Sequence, residues 1–97
     1  NMATKVYALE SMTYRTAWMC DQGMSFSRES AICKLFASET LCQVVDDAVQ
    51  VHGGMGYMSE YPIERMYRDA RITRIFEGTN EIQRLVISGG LLRDGKF

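Results

Sequence analysis

Glu77 is the side chain in this sequence best placed to move a proton. It follows Ile75 and Phe76, an apolar flank that can hold water away from a carboxylate. Desolvation disfavours the charged form and raises a carboxyl pKa toward the range where it takes up a proton near neutrality. Gly78 comes next, and without a Cβ it lets a ligand or a second backbone approach closely. Thr79 is a good N-cap, and Glu81 falls in the first turn of the helix ahead, where the dipole favours negative charge. A second reading stands beside this one on residue types alone: a capped helix start whose glutamate faces solvent, as most glutamates do.

The other stretch with chemical potential is Gln50-Val51-His52-Gly53-Gly54-Met55-Gly56, where a long helical pattern breaks. It reads either as a C-cap and turn, or as backbone amides free of side chains that can approach a phosphate or an adenine. It is not a dinucleotide fingerprint, because no strand precedes it and no Walker lysine follows. His52 is the only histidine, so a zinc or di-iron site lacks the ligands it needs at helical spacing, and no metal is expected. Cys20, Cys33 and Cys42 are odd in number and form no CxxC pair, which argues against a disulfide framework and fits a reducing compartment. Arg65, Arg68, Arg71 and Arg74 step by three, interleaved with Glu64 and Asp69. That is the pattern of a solvated, ion-paired face; an anion-binding stripe is the alternative, without aromatic interleaving to support it.

Ninety-seven residues make one small domain or a piece of a larger one, with a modest core. Hydrophobic content of 46% with 24% charged residues is a globular composition. There is no run of eighteen apolar residues and no signal peptide, so neither a membrane span nor export is expected. A net charge of −1 makes no electrostatic case for nucleic acid.

A single proline and long periodic segments predict an all-α chain, one domain over residues 1–97, with helices over about 3–22, 27–52, 62–71 and 80–92. The first carries Val6, Leu9, Thr13, Thr16 and Cys20 on one face and Tyr7, Tyr14 and Trp18 on another, so it expects two neighbours. Ser25 or Ser27 can cap the second. Its stripe of Ala31, Leu35, Ser38, Cys42, Val45 and Val49, beside Ile32, Phe36, Thr40, Val44, Ala48 and Val51, suits the middle of a helical bundle. Lys34, Asp46 and Asp47 fall toward the wetter side. Pro62 opens the third helix, 72–76 is an extended connector, and the fourth helix buries Ile82, Leu85, Val86 and Gly89. Residues 93–97 read as a frayed tail, and the seven methionines as fillers of core and inter-subunit gaps.

Two blocks in order carry a family resemblance. Tyr67-Arg68-Asp69-Ala70-Arg71-Ile72 followed by Glu77-Gly78-Thr79-Asn80-Glu81-Ile82-Gln83-Arg84 resembles the C-terminal signature of the acyl-CoA dehydrogenases. Asp47-Ala48-Val49-Gln50-Val51-His52-Gly53-Gly54-Met55-Gly56-Tyr57 is similar to the same family at the expected place upstream. The resemblance implies a partial C-terminal helical bundle without its first helix, inactive alone because the family's N-terminal helical and middle β-domains lie elsewhere. It implies FAD as cofactor and oxidation of an acyl-CoA to the trans-2-enoyl-CoA, with Glu77 as the α-proton base and Gly78 lining the acyl channel. Gln50, Val51, His52, Gly53 and Gly54 match a block that contacts the FAD of a neighbouring subunit; Thr79, Asn80 and Glu81 match a turn that touches FAD. Some members carry glutamine at the position of Glu81. Electron-transferring flavoprotein as acceptor, a homo-oligomer (dimer or tetramer), and a bacterial cytoplasmic or mitochondrial matrix location follow from the same resemblance. The competing classes are a dehydrogenase-like scaffold or assembly protein and a helical interaction module without catalysis.

Overall fold

The computed structural model describes residues 1–95. Helix α1 spans Met2–Asp21, α2 Ser27–His52, α3 Ile63–Arg71 and α4 Asn80–Asp94. Short 3-10 turns at Gly53–Tyr57 and Ile72–Arg74 follow α2 and α3. The all-α class predicted from periodicity is the class observed. The predicted domain extends to residue 97, and the last two positions of it, with that part of the predicted tail, lie outside the described residues. The rest of the tail is not frayed: α4 runs through Asp94, and the Gly95 N–H donates to the Leu91 carbonyl at 2.8 Å.

α2 is the spine, and each of the other three helices packs along it. The stripe read from sequence is the one that turns inward: Ala31, Ser38 and Val45 are buried, and Leu35, Cys42 and Val49 are half-buried. The buried apolar set is small, Met19, Ala31, Val45, Ile63 and Ala70. With α2 in the middle and partners on its sides, the chain makes an open layer measuring 49 × 23 × 20 Å. Its radius of gyration of 15.9 Å exceeds the roughly 12.5 Å of a compact chain of this length.

α1 ends in two hydrogen bonds that use Gly23 in the left-handed conformation: Gly23 N–H to Cys20 O and Met24 N–H to Met19 O, both 3.0 Å. Of the predicted face of Val6, Leu9, Thr13, Thr16 and Cys20, only Leu9 and Thr16 turn inward. Met2, Lys5, Met12, Thr16 and Met19 point to α2, with Leu9, while Val6, Thr13 and Cys20 are exposed. Three methionines line the seam, and Lys5 adds a contact to Asp47 at 3.9 Å. The second non-polar face stays uncovered, with Tyr7 73%, Tyr14 74% and Trp18 55% exposed.

Two further expectations are corrected. Neither Ser25 nor Ser27 caps α2, because Phe26 occupies the cap position and Ser27 is already helical. In α4 the buried side is Asn80 and Gly90 with half-buried Gln83, Ile87 and Leu91, whereas Ile82, Leu85, Val86 and Gly89 are exposed. In this phase Gly90 lies against the aliphatic stem of Arg28. Gly56 has a related role at the far end of α2, since a Cβ there would stand 2.8 Å from both His52 Cβ and the Val49 carbonyl.

Candidate functional site

The segment predicted as an extended connector is instead a tight hinge. After α3 the chain coils through the Ile72–Arg74 turn, with Ile75 and Phe76 N–H groups donating to Ile72 O at 2.9 and 3.0 Å. Glu77 then takes φ +54°, the one non-glycine with positive φ among the described residues, and Gly78 follows at +79°. A left-handed L-residue costs roughly 1–2 kcal/mol, and such strain persists only where the surroundings over-determine it.

Side chains from two helices hold the hinge. The Gln83 amide donates to the Glu77 carbonyl at 3.1 Å. Lys34 Nζ donates to the Gly78 carbonyl at 2.8 Å and to Asn80 Oδ1 at 2.7 Å. Asn80 is only 2% exposed, and its Nδ2 donates to Ser38 Oγ at 2.9 Å. Ser38 in turn can donate to Asn80 Oδ1 at 3.1 Å or Leu35 O at 3.2 Å. Lys34, expected on the wet side of α2, therefore reaches into the junction with α4. Thr79 caps α4 as predicted, its Oγ1 accepting from the Ile82 N–H at 3.3 Å. The helix-start backbone N–H of Glu81 itself, and then the Thr79 hydroxyl, hold the Glu81 carboxyl below its ordinary range. The turn leaves the Glu77 N–H without an acceptor among the described residues.

Glu77 borders a cleft of about 320 Å³ lined by Leu9 of α1, Lys34, Ala37, Ser38 and Leu41 of α2, and Thr73 and Phe76 before the hinge. The side chain itself is exposed at the rim. The apolar shielding expected from Ile75 and Phe76 is only partly supplied within this chain: Phe76 lines the cleft, but the two are themselves 50% and 48% exposed. The α1–α2 seam builds the rest of the apolar wall.

The second block lies elsewhere. Gln50, Val51, His52, Gly53 and Gly54 are all exposed at the end of α2. From Ser38, beside the hinge, to Gln50 the helix advances about 18 Å. The structure thus gathers Glu77, Gly78, Thr79, Asn80 and Glu81 into one turn and keeps Gln50 to Gly54 apart from it. His52 Nδ1 stands 2.7 Å from the Ala48 carbonyl; a carbonyl only accepts, so Nδ1 carries the proton and Nε2 faces outward. Gly53 (φ +62°) and Gly54 have open space where a Cβ would sit, so their backbone is accessible. Among the described residues no cluster of three His, Cys, Asp or Glu side chains is placed to hold a metal ion, and no helix is long and apolar enough to cross a membrane. Arg68 pairs with Glu64 at 2.9 Å, as a solvated charged face does.

Lys34, Ser38 and Gln83 are the site residues that sequence reasoning passes over. Lys34 and Ser38 are four apart, one turn of α2, and that pairing beside an apolar stripe was the available signal.

Comparison with known proteins agrees with the two-block reading. The family profile for the acyl-CoA dehydrogenase C-terminal domain matches residues 1–92. The mitochondrial short-chain specific acyl-CoA dehydrogenase of Rattus norvegicus is 54% identical over 95 residues, covering 95% of this chain and 23% of that protein. The cyclohexane-1-carbonyl-CoA dehydrogenase of Geobacter metallireducens is 50% identical over 92 residues, with 95% and 24% covered. The chain thus spans about a quarter of the length of the curated relatives it matches. In three dimensions it superposes on an acyl-CoA dehydrogenase of Bacillus anthracis in complex with FAD, with TM-score 0.90 and 46% identity over 98% of this chain and 20% of that one. With its fold, both sequence blocks and the 1–92 match in agreement, the chain belongs to the acyl-CoA dehydrogenase family, through that family's C-terminal domain.

Proposed function

We propose that this domain serves in an FAD-dependent acyl-CoA dehydrogenase that oxidises an acyl-CoA thioester to the trans-2-enoyl-CoA, with Glu77 as the base. The observation that carries the reading is the strained, side-chain-pinned conformation of Glu77 on the rim of an apolar cleft. Strain held in place by its surroundings gathers at sites where geometry serves chemistry.

In the reaction the Glu77 carboxylate takes the α-proton, the α and β C–H bonds break, and the electron pair left at the α-carbon forms the double bond. When bound, the flavin supplies the hydride acceptor for the β-carbon. An α-proton beside a thioester is weakly acidic, so the base works best when water is excluded around it. Leu9, Ala37, Leu41 and Phe76 give one wall of such an enclosure. The free Glu77 N–H is a donor for the thioester oxygen as negative charge gathers there. Gly78, next in the chain, is the proposed acyl-channel position.

The residues fit the flavin in two places. Thr79, Asn80 and Glu81 present the start of α4, where backbone N–H groups favour an anionic or polar ligand edge. Gln50, Val51, His52, Gly53 and Gly54 present unobstructed backbone and the outward His52 Nε2. The separation of the two blocks supports a homo-oligomer in which the second serves a neighbouring subunit's FAD. Electron-transferring flavoprotein is the proposed acceptor. A reducing location, the mitochondrial matrix or the bacterial cytoplasm, suits Cys20, Cys33 and Cys42, all free thiols.

Replacing Glu77 by Gln in the full-length protein keeps the shape and removes the base. FAD content is expected to be unchanged while anaerobic bleaching of the flavin by acyl-CoA is lost. Bleaching at the parent rate would remove Glu77 from this role.

A further inference from the structure

The hinge raises a question that the base assignment leaves open: what keeps a glutamate in a left-handed conformation. Two consecutive residues, Glu77 and Gly78, have positive φ, and each has its carbonyl tied by a side chain from a different helix. Gln83 reaches back from α4 to the Glu77 carbonyl. Lys34 crosses from α2 to the Gly78 carbonyl and, with the same ammonium, to Asn80 Oδ1. The first of these bonds is local to α4 and its entry turn. The Lys34 bonds are the ones that fix the turn to the wall of the cleft, since Lys34 itself lines that cleft beside Ala37 and Leu41. An ammonium has three donors, and two are used here at 2.7 and 2.8 Å, the short lengths of charge-assisted bonds.

We infer that Lys34 is a positioning residue for Glu77: it locks the Glu77–Gly78 hinge against α2, with Gln83 as the second tie, and so sets the direction in which the carboxylate meets the α-carbon. This rests on the reading of Glu77 as the base. Loss of the lysine frees the Gly78 carbonyl to turn and lets the pair relax toward right-handed backbone, which swings the carboxylate away from the cleft. The acyl-CoA contacts supplied by the apolar wall are untouched by that change. The effect therefore falls on the chemical step and not on binding, because a misplaced reacting group costs rate before it costs affinity.

The test uses the full-length holoenzyme and reads two quantities for acyl-CoA: the limiting rate of flavin bleaching and the dissociation constant. Lys34→Met is expected to lower the bleaching rate tenfold or more, with acyl-CoA affinity within threefold and FAD content unchanged. Lys34→Arg, which keeps a donor to the Gly78 carbonyl, is expected to recover most of the rate. A Lys34→Met enzyme that bleaches like the parent overturns the inference, as does a loss matched by an equal loss of affinity or FAD. So does failure of Lys34→Arg to restore rate in a folded, flavin-loaded enzyme. Should Lys34→Met not fold, Gln83→Ala provides the second reading: the same rate-selective loss, smaller in size, is expected, and a parent rate counts against the clamp. Glu77→Gln is run alongside; its retention of bleaching would sink the base assignment itself, which is a separate outcome.

Discussion

Asn80 is the residue on which the junction of α2 and α4 turns, and its replacement by alanine has a calculable cost. Its Oδ1 accepts from the Lys34 ammonium at 2.7 Å, and its Nδ2 donates to Ser38 at 2.9 Å. The bond to Ser38 is closed off from water and the one from Lys34 is part-buried, Asn80 itself being 2% exposed. A hydrogen bond to a charged group contributes about 1.5–3 kcal/mol net and a neutral one about 1 kcal/mol, so Asn80→Ala should cost about 3 kcal/mol at this junction. The figure stays at the net value because neither partner is orphaned: Lys34 keeps the Gly78 carbonyl and Ser38 keeps Leu35 O. The loss falls on opening of the first turn of α4, whose earliest rung is Gln83 N–H to Thr79 O at 3.0 Å. At about 1.4 kcal/mol per factor of ten, amides there should exchange with deuterium somewhat more than a hundredfold faster in the full-length variant, read by mass spectrometry on peptides covering 79–90. Asn80→Asp keeps an acceptor for both partners and should change exchange by less than tenfold. Protection in Asn80→Ala within threefold of the parent would refute the assignment of this cluster as the fastening between the helices.

Two more outcomes follow from the hinge and the helix starts. A Cβ at position 78 would stand 2.9 Å from Gln83 Nε2 and require an L-residue at φ +79°, so Gly78→Ala should cost about 2–3 kcal/mol. Its melting temperature should fall, and adding Gln83→Ala should lower it little further because that tie is already displaced; a fully additive second loss contradicts the geometry. At the start of α2, the hydrogen bond from Arg28 (2.7 Å) holds the Glu29 carboxyl below its ordinary value of 4.5. A depressed folded value contributes stability that is complete above 4.5 and is lost as pH falls through the lower folded value. Deuterium exchange in the first turn of α2, corrected for intrinsic rates, should therefore rise on acidification below that point, and Glu29→Gln should abolish the pH dependence.

The inward stripe of α2 is legible in sequence because its residues repeat at three and four without interruption, and a central helix has a wide target to hit. Thr79 is legible for a different reason, since a side-chain cap depends on local chemistry alone. The phases of α1 and α4 are not. In α1 the seam takes Met2, Met12, Met19 and Lys5 beside Leu9 and Thr16, while Val6, Tyr7, Tyr14 and Trp18 face outward; hydrophobicity alone does not pick out that face. In α4 the contact side holds Asn80, Gln83 and Gly90 beside only two apolar residues, Ile87 and Leu91, while more apolar residues face outward, so the apolar pattern points the wrong way. At the hinge, residue types identify Glu77 as a candidate but give no hint of its backbone conformation, because one of the two pins arrives from Lys34, 44 positions from the carbonyl it holds. Long-range polar contacts of that kind leave no periodic trace.

α2 is a single unbroken helix of 26 residues, with Lys34 toward one end and the Gln50–Gly54 turn at the other. It acts as a ruler between two places that do not touch. Deleting one residue between them would draw the far turn in by about 1.5 Å and rotate it by about 100° about the helix axis, aiming the exposed glycines at a different quarter of space. Point replacements on its outer positions leave that measure intact, whereas any change in its length does not. Variation in chain length within this domain is therefore to be sought in the short links on either side of α2, around 22–26 and 58–62.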